Sequence, residues 1–258
     1  MSMRRYFSSV FTLMEYELRK IRHDSSQVWI RSVQPALWLL VFGEVFTKIK
    51  AIPTGNYTYL QFMTPGVLAQ SVMFVAIFYG ITIVWERDLG ILNKLLASPA
   101  PRSAIVIGKT LSAGLRGVFQ AIMVVILALI LQVKISFNPL HLLGVLIIVI
   151  LLGMTFASLS LTIASFFKTR ERVMGIGQAL TMPLFFASSA IYPISVMPTW
   201  IKTIATINPL SYIVDALRRM LLTGYTSTTP LTTDILAIVL STAVLVTAAS
   251  LSFRRIVS

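Results

Sequence analysis

Residues 140–167 read LHLLGVLIIVILLGMTFASLSLTIASFF, a stretch of 28 residues without a single Asp, Glu, Lys or Arg. A helix needs about 20 mostly apolar residues to cross the hydrocarbon core of a bilayer, so this stretch is long enough to span a membrane. Only 12% of the 258 residues are charged and 56% are hydrophobic, whereas a soluble domain has about 25% charged residues. The composition excludes an ordinary soluble enzyme and predicts an integral membrane protein.

Five further apolar stretches predict additional membrane-spanning helices. In chain order, the six predicted spans are residues 33–46 (extended at the start by 28–30), 61–85, 104–131, 140–167, 173–191 and 233–253. The segments between them are too short for a separate soluble domain of ~100 residues. We therefore expect an all-α membrane protein with one domain over residues 1–258, in which residues 28–258 form a six-helix membrane domain.

The positive charges predict the orientation. If the N-terminus is cytoplasmic, 15 of the 22 Lys and Arg residues fall in cytoplasmic segments and six in outer segments. Such an excess is typical of the cytoplasmic side, so both termini are expected there. The same bias explains the net charge of +13 without a nucleic acid, and we expect no nucleic-acid partner.

Residues 1–27 predict an amphipathic helix on the cytoplasmic surface of the bilayer. Its apolar side chains recur every three or four residues, at Phe7, Phe11, Met14, Leu18 and Ile21. Asp24-Ser25-Ser26 favours a break before the first span, because short polar side chains compete for backbone hydrogen bonds. The alternative is an inward extension of the first span.

Residues 85–109 read WERDLGILNKLLASPAPRSAIVIGK and are cytoplasmic by the charge count. Leucines at 89, 92, 95 and 96 form a short apolar helix face that Pro99 and Pro101 end. A displayed amphipathic helix is suited to docking a partner protein, and a plain connecting loop is the alternative. Gly108-Lys109-Thr110 matches the end of a P-loop, but Ser103 stands at the first glycine position, so no nucleotide site is expected.

Residues 192–224 read YPISVMPTWIKTIATINPLSYIVDALRRMLLTG and are cut by Pro193, Pro198 and Pro209. The pieces between the prolines are too short to cross a bilayer and are typical of re-entrant segments. Two short helices that dip in from the outer side would cap a pathway. Three basic residues would then lie near the outer head groups with their stems in the apolar layer, namely Lys202, Arg218 and Arg219.

Two charges are predicted within the membrane, Glu44 in the first span and Arg116 in the third. Such charges usually pair or line a cavity, and their similar depth suggests the hypothesis that they pair. In the alternative, Glu44 reaches the outer interface and Arg116 faces a polar cavity. The chain has no cysteine and no HExxH or GxSxG motif, so we predict no catalytic, cofactor or metal site.

Several segments together resemble the ABC-2 family of transporter permeases. Residues 85–109 are similar to that family's ER-x-x-G-x-L-x-x-L-x-x-SP stretch and its following GK pair. Residues 188–218, SSAIYPISVMPTWIKTIATINPLSYIVDALR, look like its proline-rich and NPL-x-Y-x-x-x-x-R stretch. FMTPGVLAQ at 62–70 and LRGVFQ at 115–120 also resemble family patterns.

The resemblance implies the permease subunit of an ATP-driven exporter in the inner (plasma) membrane of a prokaryote. Two permease copies, identical or different, would form the pathway, and each would dock a separate ABC-type ATPase that binds ATP and Mg²⁺. The implied docking residues are Glu86, Arg87, Leu89, Leu92, Leu95, Leu96 and Ser98. The implied outer gate is Pro193, Pro198, Asn208, Pro209, Tyr212 and Arg218.

The exporter interpretation makes this chain a transport subunit rather than an enzyme, with a drug, a lipid or a polysaccharide as substrate. A stand-alone channel or secondary transporter is the alternative, and a membrane enzyme or assembly factor is a third. The scarcity of carboxylates at membrane depth counts against a proton-driven carrier.

Overall fold

A computed structural model describes residues 3–23, 26–50, 52–98, 100–167, 169–227 and 229–257, and these contain helices and turns but no β-strand. The α-helices are α1 (Met3–His23), α2 (Ser26–Leu37), α3 (Glu44–Ile49), α4 (Tyr59–Asp88), α5 (Ile91–Leu96), α6 (Arg102–Ile130), α7 (Pro139–Phe166), α8 (Arg170–Phe186), α9 (Thr199–Ile207), α10 (Pro209–Leu221), α11 (Leu231–Ser252) and α12 (Arg254–Val257). A π-helix (Trp38–Gly43) joins α2 to α3, and a 3-10 helix (Ile194–Val196) precedes α9.

Four helical stretches in the described ranges are long and apolar enough to cross a membrane, namely α4, α6, α7 and Leu231–Ile256. They correspond to the predicted second, third, fourth and sixth spans. In the most apolar window of α4, 83% of the residues are buried, against 17% in the last stretch. The helix α4 therefore forms the centre of the bundle, with α6 and α7 packed against it and α11 packed outside α7.

Local hydrogen bonds set where two of these long helices begin. The Thr58 side chain accepts a bond from the Gln61 backbone N–H at 3.2 Å, and the Gln61 side chain accepts one from the Thr58 N–H at 3.0 Å. This reciprocal capping satisfies donors that the first turn of α4 would leave unpaired. At the start of α7, Asn138 accepts from the Leu140 N–H, and Pro139 occupies the first helical position, where no N–H is needed.

The predicted first span is a helical path of three pieces, α2, the π-helix and α3. Pro35 inside α2 removes a backbone donor, and the π-helix begins three residues later. Trp29, Val33 and Leu37 are exposed, so this path lies at the edge of the bundle. The predicted break at Asp24-Ser25-Ser26 falls between α1 and α2, and residues 24–25 are outside the described ranges.

The predicted fifth span is α8, which has 17 residues and ends five residues before the predicted end at 191. The Ser188 hydroxyl donates to the Phe185 carbonyl at 2.6 Å and accepts from the Ala190 N–H at 3.3 Å. These bonds replace the next helical turn. A helix of this length rises about 25 Å, slightly less than the ~30 Å hydrocarbon core.

Small residues allow α6 and α7 to approach closely. A Cβ atom on Gly153 would lie 2.5 Å from the Gly114 Cα, and one on Gly114 would lie 2.6 Å from the Ile150 carbonyl oxygen. Backbone contact of this kind is a common basis of helix association in membranes, where lipid removes the hydrophobic advantage of burial.

We predict that Gly153→Ala lowers the thermal unfolding temperature in detergent. Alanine is about 1 kcal/mol more favourable than glycine within a helix, but the overlap with the backbone of α6 costs about 1–3 kcal/mol. Gly175→Ala is the matched control, because a Cβ at this helical position meets nothing within 4 Å. It should leave the unfolding temperature unchanged or raise it, and equal behaviour of the two variants would contradict the close packing.

Candidate functional site

The turn between α4 and α5 presents a short helix at the end of the bundle where we predicted a docking element. Gly90 has φ +70°, a left-handed conformation that glycine adopts without strain. Leu92 is fully buried, whereas Leu89 is 70% exposed and Lys94 is exposed. One face of α5 is therefore held against the protein, and its other face and the preceding turn are accessible.

The predicted docking residues divide between these two faces. Leu89 and Ser98 are exposed, Arg87, Leu95 and Leu96 are half-buried, and Glu86 and Leu92 are buried. Glu86 is 7% exposed, so it does not form part of an accessible docking surface as predicted. The helix ends at Leu96, and Pro99, which we expected to end it, lies outside the described residues.

An ion pair connects this turn to the start of α8. Asp88 accepts from Arg170 at 2.8 Å and from the neighbouring Arg87 at 3.1 Å. The Arg170 guanidinium also lies 6.0 Å from the ring centroid of Trp85. The ends of α4 and α8 are thereby joined beside α5.

A buried cluster of charges lies behind the turn. The Lys109 Nζ donates to Glu17 Oε1 at 2.9 Å and lies 2.6 Å from Glu86 Oε2. Arg116 donates to the Glu17 carbonyl oxygen at 2.8 Å, and its guanidinium lies 4.5 Å from the ring centroid of Tyr79. The Lys109 and Glu17 side chains are only 3% and 2% exposed. Three helices, α1, α4 and α6, meet at these charges.

The hypothesis that Glu44 pairs with Arg116 is wrong, because Arg116 contacts Glu17 instead, with 3.8 Å between guanidinium and carboxylate. Because α1 packs along α6, it brings Glu17 to Arg116. Glu44 begins α3 and is half-buried.

The role of Lys109 was missed in the sequence, where it was considered only as part of an incomplete P-loop. A signal was available, because Lys109 and Arg116 are seven residues apart and lie on one face of a helix. Two basic residues on one face of an otherwise apolar helix indicate nearby carboxylates.

The helix α1 packs on α6 with a face other than the predicted apolar stripe. Tyr6 donates to Ser103 at 3.3 Å, and Val10 and Leu13 lie against Gly108. Phe7 and Phe11 of the predicted stripe are exposed, as expected for side chains that face lipid. Later residues of α1 contact later residues of α6, so α1 runs parallel to the first half of α6.

At the opposite end of the bundle, α9 and α10 are the two short helices predicted for a re-entrant pair, with nine and 13 residues. Pro193 and Pro198 precede the 3-10 helix and α9, and Pro209 begins α10. Asn208 accepts from the Leu210 N–H and donates to the Leu184 and Ala187 carbonyls at 2.6 and 3.0 Å. Tyr212 donates to the Thr206 carbonyl. Asn208 thus ties the start of α10 to the end of α8.

The prediction that Arg218 lies near the outer head groups is wrong, because its residue exposure is 1%. Its guanidinium donates to the Ser189 carbonyl, to Phe62 O at 3.1 Å and to Ala190 O at 3.3 Å. It also lies 3.6 Å from the Phe62 ring centroid. Ser189 and Ala190 lie between helices, so their carbonyls have no donor within a helix and accept from the buried guanidinium instead. Lys202 is exposed as predicted, whereas Arg219 is half-buried.

Arg219 belongs to a second polar cluster that joins α10 to α11. It lies 3.6 Å from Asp215 and 3.7 Å from Asp234, and the single Thr229 hydroxyl lies within hydrogen-bonding distance of both carboxylates, at 3.1 and 3.2 Å. Tyr225 donates to Asp215 at 3.1 Å. Burial raises the pKa of the Tyr225 phenol, so it remains a hydrogen-bond donor at neutral pH.

A groove runs along α2 and the π-helix. Side chains of α4 form the opposite wall of its first part, whereas the second part is lined by α2 and the π-helix. It consists of two adjoining cavities of about 290 and 470 Å³ that share Ile30 and Gln34. Phe74 and Phe78 line the first cavity, and Trp38 and Phe42 line the second. The first also contains Gln70, which is 2% exposed and whose amide nitrogen has no hydrogen-bond partner within the described ranges. The groove therefore combines aromatic side chains with a buried polar donor directly behind its wall.

The family model of the ABC-2 type transporter matches residues 8–222, which include α4–α5, the charge cluster and the short helices α9 and α10. The chain belongs to the ABC-2 type transporter family. This ABC-2 protein is a multi-pass membrane protein and a transport permease.

Named relatives agree with that assignment. The chain is 25% identical to the daunorubicin resistance ABC transporter permease protein DrrB1 of Streptomyces coeruleorubidus, over 83% of this chain and 75% of DrrB1. It is 22% identical to the inner membrane transport permease YadH of Escherichia coli K12, over 76% and 77%. It is 28% identical to the Porphyra purpurea transport permease ycf38, over 74% and 69%.

We predict that Arg218→Met strongly destabilises this ABC-2 permease. The change leaves buried carbonyls without their donor, at about 1.5–3 kcal/mol for each charged hydrogen bond. Arg218→Lys keeps the charge but not the forked geometry and should have an intermediate effect. Thermal unfolding in detergent measures the change, with Lys202→Met on exposed α9 as the control. Equal unfolding temperatures for Arg218→Met and the control would contradict this assignment.

Proposed function

We propose that this permease is the membrane subunit of an ABC exporter, with both termini cytoplasmic, in the inner membrane of a prokaryote. ATP and Mg²⁺ are bound by a separate ABC-type ATPase. The observation that carries the proposal is the turn and helix at residues 86–98, which combine a buried supporting face with an exposed face around Leu89. An exposed helix face held rigidly from behind suits the transmission of motion from a partner.

Two copies of the permease form the pathway in this proposal. The groove along α2 and α4 is open on one side in a single chain, and the exposed apolar side chains of α2, such as Val33 and Leu37, adjoin it. A second copy facing this surface closes the groove into a pathway.

The groove supports an amphipathic substrate. Its two cavities of about 290 and 470 Å³ are close to the size of ordinary ligand cavities, about 300–1,000 Å³, and four aromatic side chains contribute to their walls. The buried Gln70 amide would donate a hydrogen bond to an oxygen of the substrate after the side chain turns into the groove. Among the three substrate classes considered, this composition favours a drug or a lipid over a polysaccharide. At the end of the bundle away from α5, we assign the short helices α9 and α10 to the outer gate. These helices are held in place by Asn208, Tyr212 and Arg218.

A stand-alone channel or secondary transporter is the alternative function. It needs no docking surface at the α4–α5 turn, and it would move substrate through the purified chain without ATP hydrolysis.

We predict that Lys94→Glu combined with Leu89→Asn reduces the amount of ABC-type ATPase that co-purifies from native membranes by about tenfold, equivalent to ~1.4 kcal/mol of binding energy. The physical reason is the loss of apolar contact and the reversal of charge on the exposed face. Lys202→Glu is the matched control, since it reverses an exposed lysine on the short helix α9 at the other end. Equal ATPase recovery from both variants, or ATP-independent transport by the chain alone, would contradict the exporter proposal.

We further predict that amphipathic drugs or lipids stimulate ATP hydrolysis by the complex in proteoliposomes more strongly than glycans do. Phe74→Ala should raise the half-stimulating concentration of an active compound severalfold, because one wall of the groove is lost. Phe119→Ala, on an exposed part of α6, should leave that concentration unchanged. Selective stimulation by glycans would instead favour a polysaccharide exporter.

A further inference from the structure

The buried charges on α1, α4 and α6 are arranged around a single lysine. The Lys109 Nζ lies 2.9 Å from Glu17 Oε1 of α1 and 2.6 Å from Glu86 Oε2 of α4. The three side chains are 3%, 2% and 9% exposed. At such burial the ion pairs are hardly screened by water or salt, and their geometry is fixed by the surrounding helices.

The cluster is electrically balanced. Two carboxylates, Glu17 and Glu86, face two cations, Lys109 and Arg116. Arg116 bonds mainly to the backbone of α1, through the Glu17 carbonyl oxygen at 2.8 Å. Within the described part of the chain, Lys109 is the cation in contact with both carboxylates. It is therefore the link between the charge on α1 and the charge on α4.

The Lys109 link joins α1 to the part of α4 that leads into α5. Glu86 lies in the last turn of α4, two residues before the Asp88–Gly90 turn that leads into α5. Glu17 lies in the second half of α1, which packs lengthwise on α6 through Val10 and Leu13. Removal of Lys109 would leave α1 attached to α6 but would remove the bridge that Lys109 forms between Glu17 of α1 and Glu86 of α4.

We propose that Lys109 is a positioning residue that makes α1 and the α4–α5 segment move as one body. A displacement of α5 is then passed to α1 and α6 through the ionic bridge rather than absorbed by the turn. Its role in coupling to an ATPase rests on the proposed function, whereas the mechanical link is a property of this chain alone.

Two variants distinguish between two roles of Lys109: neutralising the buried carboxylates, and connecting α1 to the α4–α5 segment. Lys109→Met breaks both pairs and removes the buried cation that lies between Glu17 and Glu86, so it is expected to lower stability. The triple variant Glu17→Gln, Glu86→Gln and Lys109→Met removes all three charges and keeps similar volumes. Buried ion triads have been replaced by neutral residues without loss of folding. Arg116 keeps its charge in this variant, but its side chain is 21% exposed and it retains its bond to the Glu17 carbonyl oxygen and its contact with the Tyr79 ring. The triple variant should therefore fold while lacking the ionic bridge.

The chain has no cysteine, so two introduced cysteines can be labelled selectively. Spin labels at Thr12→Cys on α1 and Asn93→Cys on α5, both exposed positions, report the distance between the two bodies in the full chain in lipid nanodiscs. Labelled protein is diluted with unlabelled protein to suppress distances between copies. We expect a narrow distance distribution in the otherwise unchanged chain and with Lys109→Arg. A distribution at least twice as wide is expected in the triple variant, and Lys134→Met on an exposed loop should have no effect.

A narrow distribution in the triple variant would overturn the proposal, because it would show that Lys109 only neutralises buried carboxylates. If Lys109→Met fails to fold, the triple variant alone decides. In the ATPase complex, the triple variant should keep the basal rate of ATP hydrolysis, while the rate stimulated by substrate should fall about tenfold. An unchanged stimulated rate would also contradict the role of Lys109 in coupling. Absence of any ATPase from the unchanged chain would instead refute the proposed function, while the distance measurement still tests the bridge.

Discussion

A charge buried in an apolar helix bundle has to be compensated by the protein itself, because water does not reach it. Both ends of this permease depend on that constraint. At one end, Lys109 of α6 neutralises carboxylates of α1 and α4. At the other end, Arg218 of α10 supplies hydrogen bonds to backbone carbonyls. In each case the charge can stay buried only while several helices keep their positions. The buried charge therefore favours one arrangement of those helices.

The same constraint allows the chain to interrupt its helices inside the bundle. Between the end of α8 and the 3-10 helix the backbone leaves the helical conformation, and its carbonyls need donors from elsewhere. Asn208 supplies them for Leu184 and Ala187, and Arg218 supplies them for the residues that follow. The prolines stop the helices, but these two polar side chains make the interruption stable.

The sequence predicts the long helices well because their length and apolar character are local properties, as in residues 140–167. It predicts α8 less well, because the end of that helix depends on the hydroxyl of Ser188. The burial of Arg218 and the pairing of Arg116 with Glu17 could not be predicted, since their partners are distant in the chain and depend on which helix faces meet. Glu86 was expected on the docking surface because its motif resembles the docking segment of the family, yet a sequence motif does not specify the direction of each side chain.

The two buried sites use different kinds of bond, and this difference has a mechanical consequence. Attraction between whole charges falls slowly with distance and depends little on angle, so the Lys109 cluster stays attached through small displacements of α1 and α4. Hydrogen bonds from a planar guanidinium to carbonyls weaken steeply when their angle changes. Arg218 therefore either keeps its hydrogen bonds to the carbonyls or loses them together. Motion that enters the bundle beside α5 would therefore be transmitted gradually at that end. The outer helices would then respond as a two-state element, as a gate that opens and closes requires.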